Sequence, residues 1–348
     1  MFLRHSTVSS LGERAIIARI TSRLAMPPWV VVGPGDDAAV IEPARGALDV
    51  LTTDALVDGI HFDLRFVPPD AAGYRALAVN LSDLAAMGAE PRAALLSLLV
   101  PDHLDVTTVD GIVDGLLALA ARYRVALVGG NISRTTGPLT IDVTAVGSVR
   151  PRRVLTRTGA KAGDAVYVTG TLGSAATGLE LLKGGVTIDS SLQPSVERYL
   201  RPEPRVRAGL LLGRNRAASS CMDLSDGLAD AVHQIAEASG VGITIDADEL
   251  PVADEVRAWH SETARDLLPT VLAAGDDYEL VFTTRQSQRG RFRSVTQQIG
   301  PLRLTRIGIV TKARDVLLRH EGRTVELSRG YEHWDRNFRL KVATQENS

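Results

Sequence analysis

The stretch V-V-V-G-P-G-D-D-A-A-V-I-E-P, Val30 to Pro43, followed by L-D-V-L-T-T-D-A-L-V-D-G-I-H-F, Leu48 to Phe62, decides between two folds. Gly33, Gly35 and Ala38 fit the dinucleotide fingerprint G-x-G-x-x-G/A, with Asp54 standing for its acidic residue. That fingerprint needs a helix to start at the glycines, so that its amide dipoles face a pyrophosphate. Here the turn runs into an apolar segment too short for a helix, closed by Pro43 and Gly46. Asp36 and Asp37 would also repel a phosphate unless a metal stood between them. The better reading is strand, Gly-Pro-Gly turn, strand, and then a third strand from Ala47 to Leu51 ending in Thr52, Thr53 and Asp54. A purely structural hairpin would have the same outline. Carboxylates and hydroxyls at strand ends are oxygen ligands suited to Mg²⁺, which keeps water or phosphate oxygens at its other positions.

The chain has 348 residues, enough for two cores, and its 39 basic against 41 acidic residues give no electrostatic case for nucleic acid or a membrane surface. Cys221 is the single cysteine, so no internal disulfide forms, and the seven histidines are scattered. Carboxylates are therefore the plausible metal ligands. The N-terminus lacks an apolar signal region, and no run reaches the roughly 18 apolar residues that span a bilayer. A cytoplasmic location is the expectation.

Working outward, Ser9 or Ser10 caps a helix carrying Leu11, Ile16, Ile20 and Leu24, stopped by Pro27-Pro28. Pro68-Pro69-Asp70 opens a second helix that Gly88 ends. Asn80, Asp83 and Met87 share one of its faces, beside the apolar stripe of Leu77, Leu81 and Leu84. Arg92–Val100 reads as a strand buried on both faces or packed in an interface. A helix over Thr107–Arg122 follows, then V-A-L-V-G-G-N, a strand ending in Gly129-Gly130 with Asn131 at its tip, and a strand over Leu139–Val149. The expected domains are 1–149 and 150–348, the first a mixed sheet with helices and the second α/β, giving an α/β (α+β) chain overall.

The junction holds Arg150, Arg152, Arg153, Arg157 and Lys161, read either as solvated linker charge or as a phosphate clamp. Beyond it, A-V-Y-V-T-G-T-L-G-S is strand, turn and helix start, where glycines serve an anion or close packing equally well. Later, D-L-S-D-G-L puts Asp223, Ser225 and Asp226 between a short strand and a helix, with Ser225 or Asp226 as possible N-cap. G-D-D-Y-E-L-V-F sets Asp276 and Asp277 before another strand. Three carboxylates converging at about 5 Å would repel by about 3 kcal/mol per pair at an effective dielectric of 20, so such a gathering needs cations or protons. Phosphoryl transfer on a Mg²⁺-bound triphosphate is a common use of one. No P-loop and no protein-kinase triplet occurs in the chain.

Together, G-P-G-D-D-A-A-V, T-T-D-A-L-V-D-G-I-H-F, N-L-S-D-L-A-A-M-G-A-E-P, V-G-G-N-I-S-R, V-L-T-R-T-G-A-K-A-G-D, D-L-S-D-G-L, G-D-D-Y-E-L-V-F and G-Y-E-H-W resemble the ordered motifs of the thiamine-monophosphate kinase family. That family is similar to aminoimidazole ribonucleotide synthetase, selenophosphate synthetase and the hydrogenase maturation factor HypE. The resemblance implies transfer of the ATP γ-phosphoryl group to thiamine monophosphate, with several Mg²⁺ ions. It places metal ligands at Asp37, Thr52, Thr53, Asp54, Asp83, Asn131, Asp223 and Asp226. Nucleotide contacts fall at Gly130, Asn131, Arg157 and Ser225, and thiamine contacts at His61, Asp276 and Tyr331. It also implies a homodimer whose N-terminal strands pair across a two-fold axis. Asn131 departs from the Asp of many relatives, which removes one charge from a metal site. Other acceptors or a non-catalytic Mg-ATP sensor are the alternatives. The reactive Cys of selenophosphate synthetases and the C-terminal Cys of HypE have no counterpart here.

Overall fold

Apolar alternation and glycine punctuation build two units in the computed structural model, which describes residues 7–185 and 188–329. The first unit comprises the described residues up to Leu84 together with Ala89–Pro151; the second comprises Ala85–Gly88 and the described residues from Arg152 onward.

The first unit begins with a break. Instead of one helix there are two, α1 (Val8–Leu11) and α2 (Glu13–Thr21), because Gly12 between them sits at φ 82°, a value outside the helical range. The Gly-Pro-Gly turn joins β1 (Val30–Val32) to β2 (Val40–Ile41), antiparallel partners, and no helix begins at the glycines. The dinucleotide reading therefore fails.

Four longer strands form one sheet in the order β3-β6-β4-β5: β3 (Leu48–Val57), β4 (Glu90–Pro101), β5 (Ala126–Thr135) and β6 (Thr140–Val149). β6 is antiparallel to both neighbours, and β4 runs parallel to β5, the pair joined through helix α4 (Val106–Tyr123). Two expectations about strand ends are corrected here. β3 continues through Thr52, Thr53 and Asp54, all paired to β6, and β5 continues past Gly129-Gly130-Asn131, with Asn131 opposite Ser97. β-branched Thr and a paired neighbour on each ladder favour extension over termination. Helix α3 (Pro69–Ala86) fills the span expected of it.

One sheet face is covered. Ile141, Val143 and Ala145 of β6 and Leu98 of β4 are buried, as are Leu77, Leu81 and Leu84 of α3 and Ile112 and Leu116 of α4. Each such leucine contributes about 1.5–3 kcal/mol relative to exposure. α3 and α4 meet closely: a Cβ on Gly73 would lie 1.8 Å from the Ile112 carbonyl, and one on Gly115 would lie 1.8 Å from that of Asp70. Only glycine fits at those two positions. On the other face Leu51, Leu95 and Leu99 are exposed, so β4 is buried on one face only.

The second unit has a seven-stranded sheet in the order β13-β12-β9-β11-β7-β10-β8. Its strands are β7 (Ala165–Thr169), β8 (Ser220–Asp223), β9 (Gly242–Asp246), β10 (Leu280–Thr284), β11 (Leu304–Thr311), β12 (Val316–His320) and β13 (Arg323–Glu326). All pairs are antiparallel except β12 with β9. Its helices include α5 (Ser174–Gly184), α6 (Gln193–Leu200), α7 (Val206–Asn215) and α8 (Leu228–Ser239). Val166, Val168, Leu228, Val232, Ile235, Ile243 and Val281 form a continuous apolar core between sheet and α8. β8 is one of the two edge strands and ends at Asp223, as the sequence indicated.

Candidate active site

In β3 the side chains alternate, which splits the T-T-D motif between the two faces of the sheet. Thr52 faces α3, where its hydroxyl donates to the Asp83 carboxylate, and Asp54 shares that face by its two-residue spacing. Two motifs separated by a loop and most of a helix are thereby brought into contact. Thr53 points to the other face. Its hydroxyl donates to Asp142 Oδ1 at 3.1 Å and accepts from the Thr144 hydroxyl at 3.1 Å.

That open face, helix α2 and the Gly33–Ala39 turn enclose a cavity of about 940 Å³. Asp36, Asp37, Gly130, Asn131, Asp142 and Thr144 line it. Asp37 and Asn131, distant in sequence, thus share one cavity, while Thr52, Asp54 and Asp83 lie across the sheet from it. Asp142 was not singled out from the sequence. The alternation in T-I-D-V-T is its only signal, placing an acid and a threonine on the same face. Asn131 Nδ2 donates to Ser133 Oγ at 3.0 Å. A Cβ at Gly130 would lie 1.9 Å from the Leu96 carbonyl, so that position must be glycine for β4 and β5 to pair. His61 accepts the Val57 amide on Nδ1 at 3.1 Å, which folds the turn after β3.

In the second unit Asp223 is buried at the end of β8. Gly227, at φ 94°, is the N-cap of α8, and no side chain caps that helix. Ser225 and Asp226 are thus not spent as caps. Arg157 is exposed and donates to Gln234 Oε1 of α8 at 2.5 Å. The glycine turn before α5 does not await an outside anion: Asp277 accepts the Gly173 amide at 2.7 Å and the Ala175 amide at 3.3 Å. Burial pushes the Asp277 carboxyl up to about 7, opposed by those two amides and the Arg198 guanidinium and assisted by Glu279. Glu279, fully buried, accepts from Thr169, Arg198 and Arg205, with Arg205 Nε at 2.6 Å from Oε2. Sequence reasoning missed Glu279 and its arginines, which lie about 80 residues apart. Asp276 is partly exposed beside them. Tyr331 lies outside the described residues.

Chemically the set is one of hard oxygen donors: carboxylates, hydroxyls and an amide, the ligands Mg²⁺ takes. Among the described residues no three His, Cys, Asp or Glu side chains gather at metal distance. Unneutralised carboxylates repel, and separation lowers that energy. Cys221 supplies no nucleophile, because burial, with Asp223 nearby, pushes its thiol up. Among the described residues no helix is long and apolar enough to cross a membrane.

Residues 35–149 match the family described as AIR synthase related protein, N-terminal domain, and residues 161–319 match AIR synthase related protein, C-terminal domain. The thiamine-monophosphate kinase of Bacillus subtilis (strain 168) is 34% identical over 332 residues, covering 93% of this chain and 100% of that one. The crystal structure of thiamine-monophosphate kinase from Stenotrophomonas maltophilia K279a superposes with a TM-score of 0.77 at 36% identity, over 88% of this chain and 95% of that one. The structure of AaThiL complexed with AMPPCP and TMP does so with a TM-score of 0.74 at 32% identity, over 94% of this chain and 99% of that one.

Proposed function

We propose that this chain, which belongs to the thiamine-monophosphate kinase family, transfers the γ-phosphoryl group of ATP to thiamine monophosphate, giving thiamine diphosphate and ADP. The observation that carries the reading is the contact of the Thr52 hydroxyl with Asp83. It joins two of the motifs to which the family resemblance gives the metal. A solved relative complexed with AMPPCP and TMP supports the same pair of substrates.

In the first unit Asp37, Thr53 and Asn131 on the open side of the sheet and Thr52, Asp54 and Asp83 on the α3 side would supply oxygens to different Mg²⁺ ions, and in the second Asp223 and Asp226 would do so. When bound, Mg²⁺ neutralises the charge that builds on the transferred phosphoryl group. Gly130 and Asn131 receive the nucleotide, Ser225 contacts it, and Arg157 exchanges its Gln234 partner for a phosphate. His61, Asp276 and Tyr331 take the thiamine side, Asp276 as an anion for a cationic ring. An oxygen of the substrate phosphate then attacks the γ-phosphorus in line as the bond to ADP breaks. No covalent enzyme intermediate forms, and Cys221 is too deeply buried to provide one. Exposed Leu51 and Leu99, on the part of that sheet face outside the cavity lining, support a homodimer through that part of the face. Dependence on ATP supports a cytoplasmic location.

An ADP-release assay tests the reading. Release is expected with thiamine monophosphate and Mg²⁺, and not with thiamine or an aminoimidazole precursor as acceptor. Tight ATP binding without any acceptor-dependent release would point instead to a sensor. Asn131 sharpens the test. An amide oxygen binds Mg²⁺ without charge, so Asn131→Asp is expected to lower the Mg²⁺ concentration for half-maximal activity by about fivefold, the factor that corresponds to about 1 kcal/mol. An unchanged or higher requirement would remove Asn131 from the ligand set.

A further inference from the structure

The loop that carries Arg157 is fastened by its backbone. The Thr156 carbonyl accepts the Cys221 amide at 2.9 Å, and the Gly159 carbonyl accepts Arg285 Nη2 at 2.9 Å. The Ser239 hydroxyl, at the end of α8, donates to the Arg157 carbonyl at 3.2 Å and accepts the Ala160 amide at 3.2 Å. The Arg157 side chain is what remains to move. It is exposed, and among the described residues its guanidinium bonds Gln234 alone, Nη1 donating to Oε1 at 2.5 Å.

Gln234 is itself held. Its Nε2 donates to the Asp230 carboxylate one turn earlier on α8, a helix fixed to the core by Leu228, Val232 and Ile235. A carboxylate on one side and a guanidinium on the other leave the amide one orientation, nitrogen to Asp230 and oxygen to Arg157. The order of the three groups matters. Asp230 does not pair with Arg157 directly, because a neutral amide stands between them. That amide leaves the charge of Arg157 uncancelled, and a phosphate displaces a neutral acceptor more easily than it displaces a carboxylate. Gln234 also lies seven residues past Gly227, about 10 Å along the helix axis. The bond therefore draws the guanidinium towards the middle of α8, whereas Ser225 stands before its start.

We propose that Gln234 is a positioning residue that sets nucleotide affinity by competition. It holds the Arg157 guanidinium on α8 before ATP binds, yields it to the phosphates, and takes it back as ADP leaves. The proposal rests on the reading of Arg157 as a phosphate contact.

Removing a competitor tightens binding, which gives the test its sign. In Gln234→Leu the Kd for AMPPCP with Mg²⁺, measured by calorimetry on the full chain, is expected to fall about fivefold, the scale of one hydrogen bond, and the KM for ATP to fall with it. Gln234→Glu puts a carboxylate against the guanidinium and is expected to raise both about threefold. Tm and the KM for thiamine monophosphate stay nearly unchanged in the two variants. In an Arg157→Ala background, Gln234→Leu is expected to change the AMPPCP Kd by less than about twofold, since it acts only through Arg157. An unchanged or weaker AMPPCP affinity in Gln234→Leu overturns the proposal, because a supporting or packing residue gives that sign. So does a Kd in Gln234→Glu at or below that of the wild type, and so does an effect of Gln234→Leu that persists without Arg157. Arg157→Ala that binds AMPPCP as the wild type does overturns the parent reading and takes this one with it, an outcome seen before any Gln234 variant is made.

Discussion

Asp83→Ala is expected to lower kcat about a thousandfold or more while the protein stays folded. Asp83 is a partly exposed residue of α3 that accepts the Thr52 hydroxyl from β3. If it holds Mg²⁺ against the phosphates, its loss removes several kcal/mol of charge stabilisation in the transition state, and about 4 kcal/mol corresponds to a thousandfold. Folding should suffer little, because the helix stripe of Leu77, Leu81 and Leu84 remains buried and Thr52 can turn to water. Acceptor-dependent ADP release and a thermal melt on the same preparation check this. Retention of more than about a tenth of wild-type turnover would remove Asp83 from the metal set.

Glu279→Ala should act in the opposite manner, on the fold first. Glu279 is fully buried and compensates two guanidiniums, Arg198 and Arg205, whose side chains are only 15% and 16% exposed. Removing one partner of a buried ionic group leaves the other charges unpaired, at about 3–5 kcal/mol. In a unit of this size that lowers Tm by on the order of 10 °C. A melt of the full chain measures it, and a shift under about 2 °C would mean that water screens the arginines well enough to replace the carboxylate.

The strand-turn-strand at Gly33–Ala39 and the bounds of α3 were legible because they rest on local rules: a turn with no room for a helix, and a proline start with a glycine stop. The strands β3 and β5 outrun their expected ends because Thr52-Thr53-Asp54 and Gly129-Gly130-Asn131 look like punctuation in isolation, whereas each is held by a ladder formed with residues far along the chain. The split at Gly12 follows from a backbone angle that periodicity does not encode. Of the candidate site residues, Asp37, Asp54 and Asp83 in the first unit and Asp223 and Asp276 in the second were legible as acids at turns, strands and a helix edge. Asp277 and Glu279 were legible only as acids. Their inward direction depends on Gly173, Arg198 and Arg205, partners that no local pattern links to them.

The alternation within Gly275–Glu279 has a consequence for a living cell. A lesion at Glu279 would leave it short of protein and would be relieved at a lower growth temperature. A lesion at Asp276 would leave a full complement of protein that cooling does not rescue, so two alleles three codons apart would sort into conditional and unconditional defects.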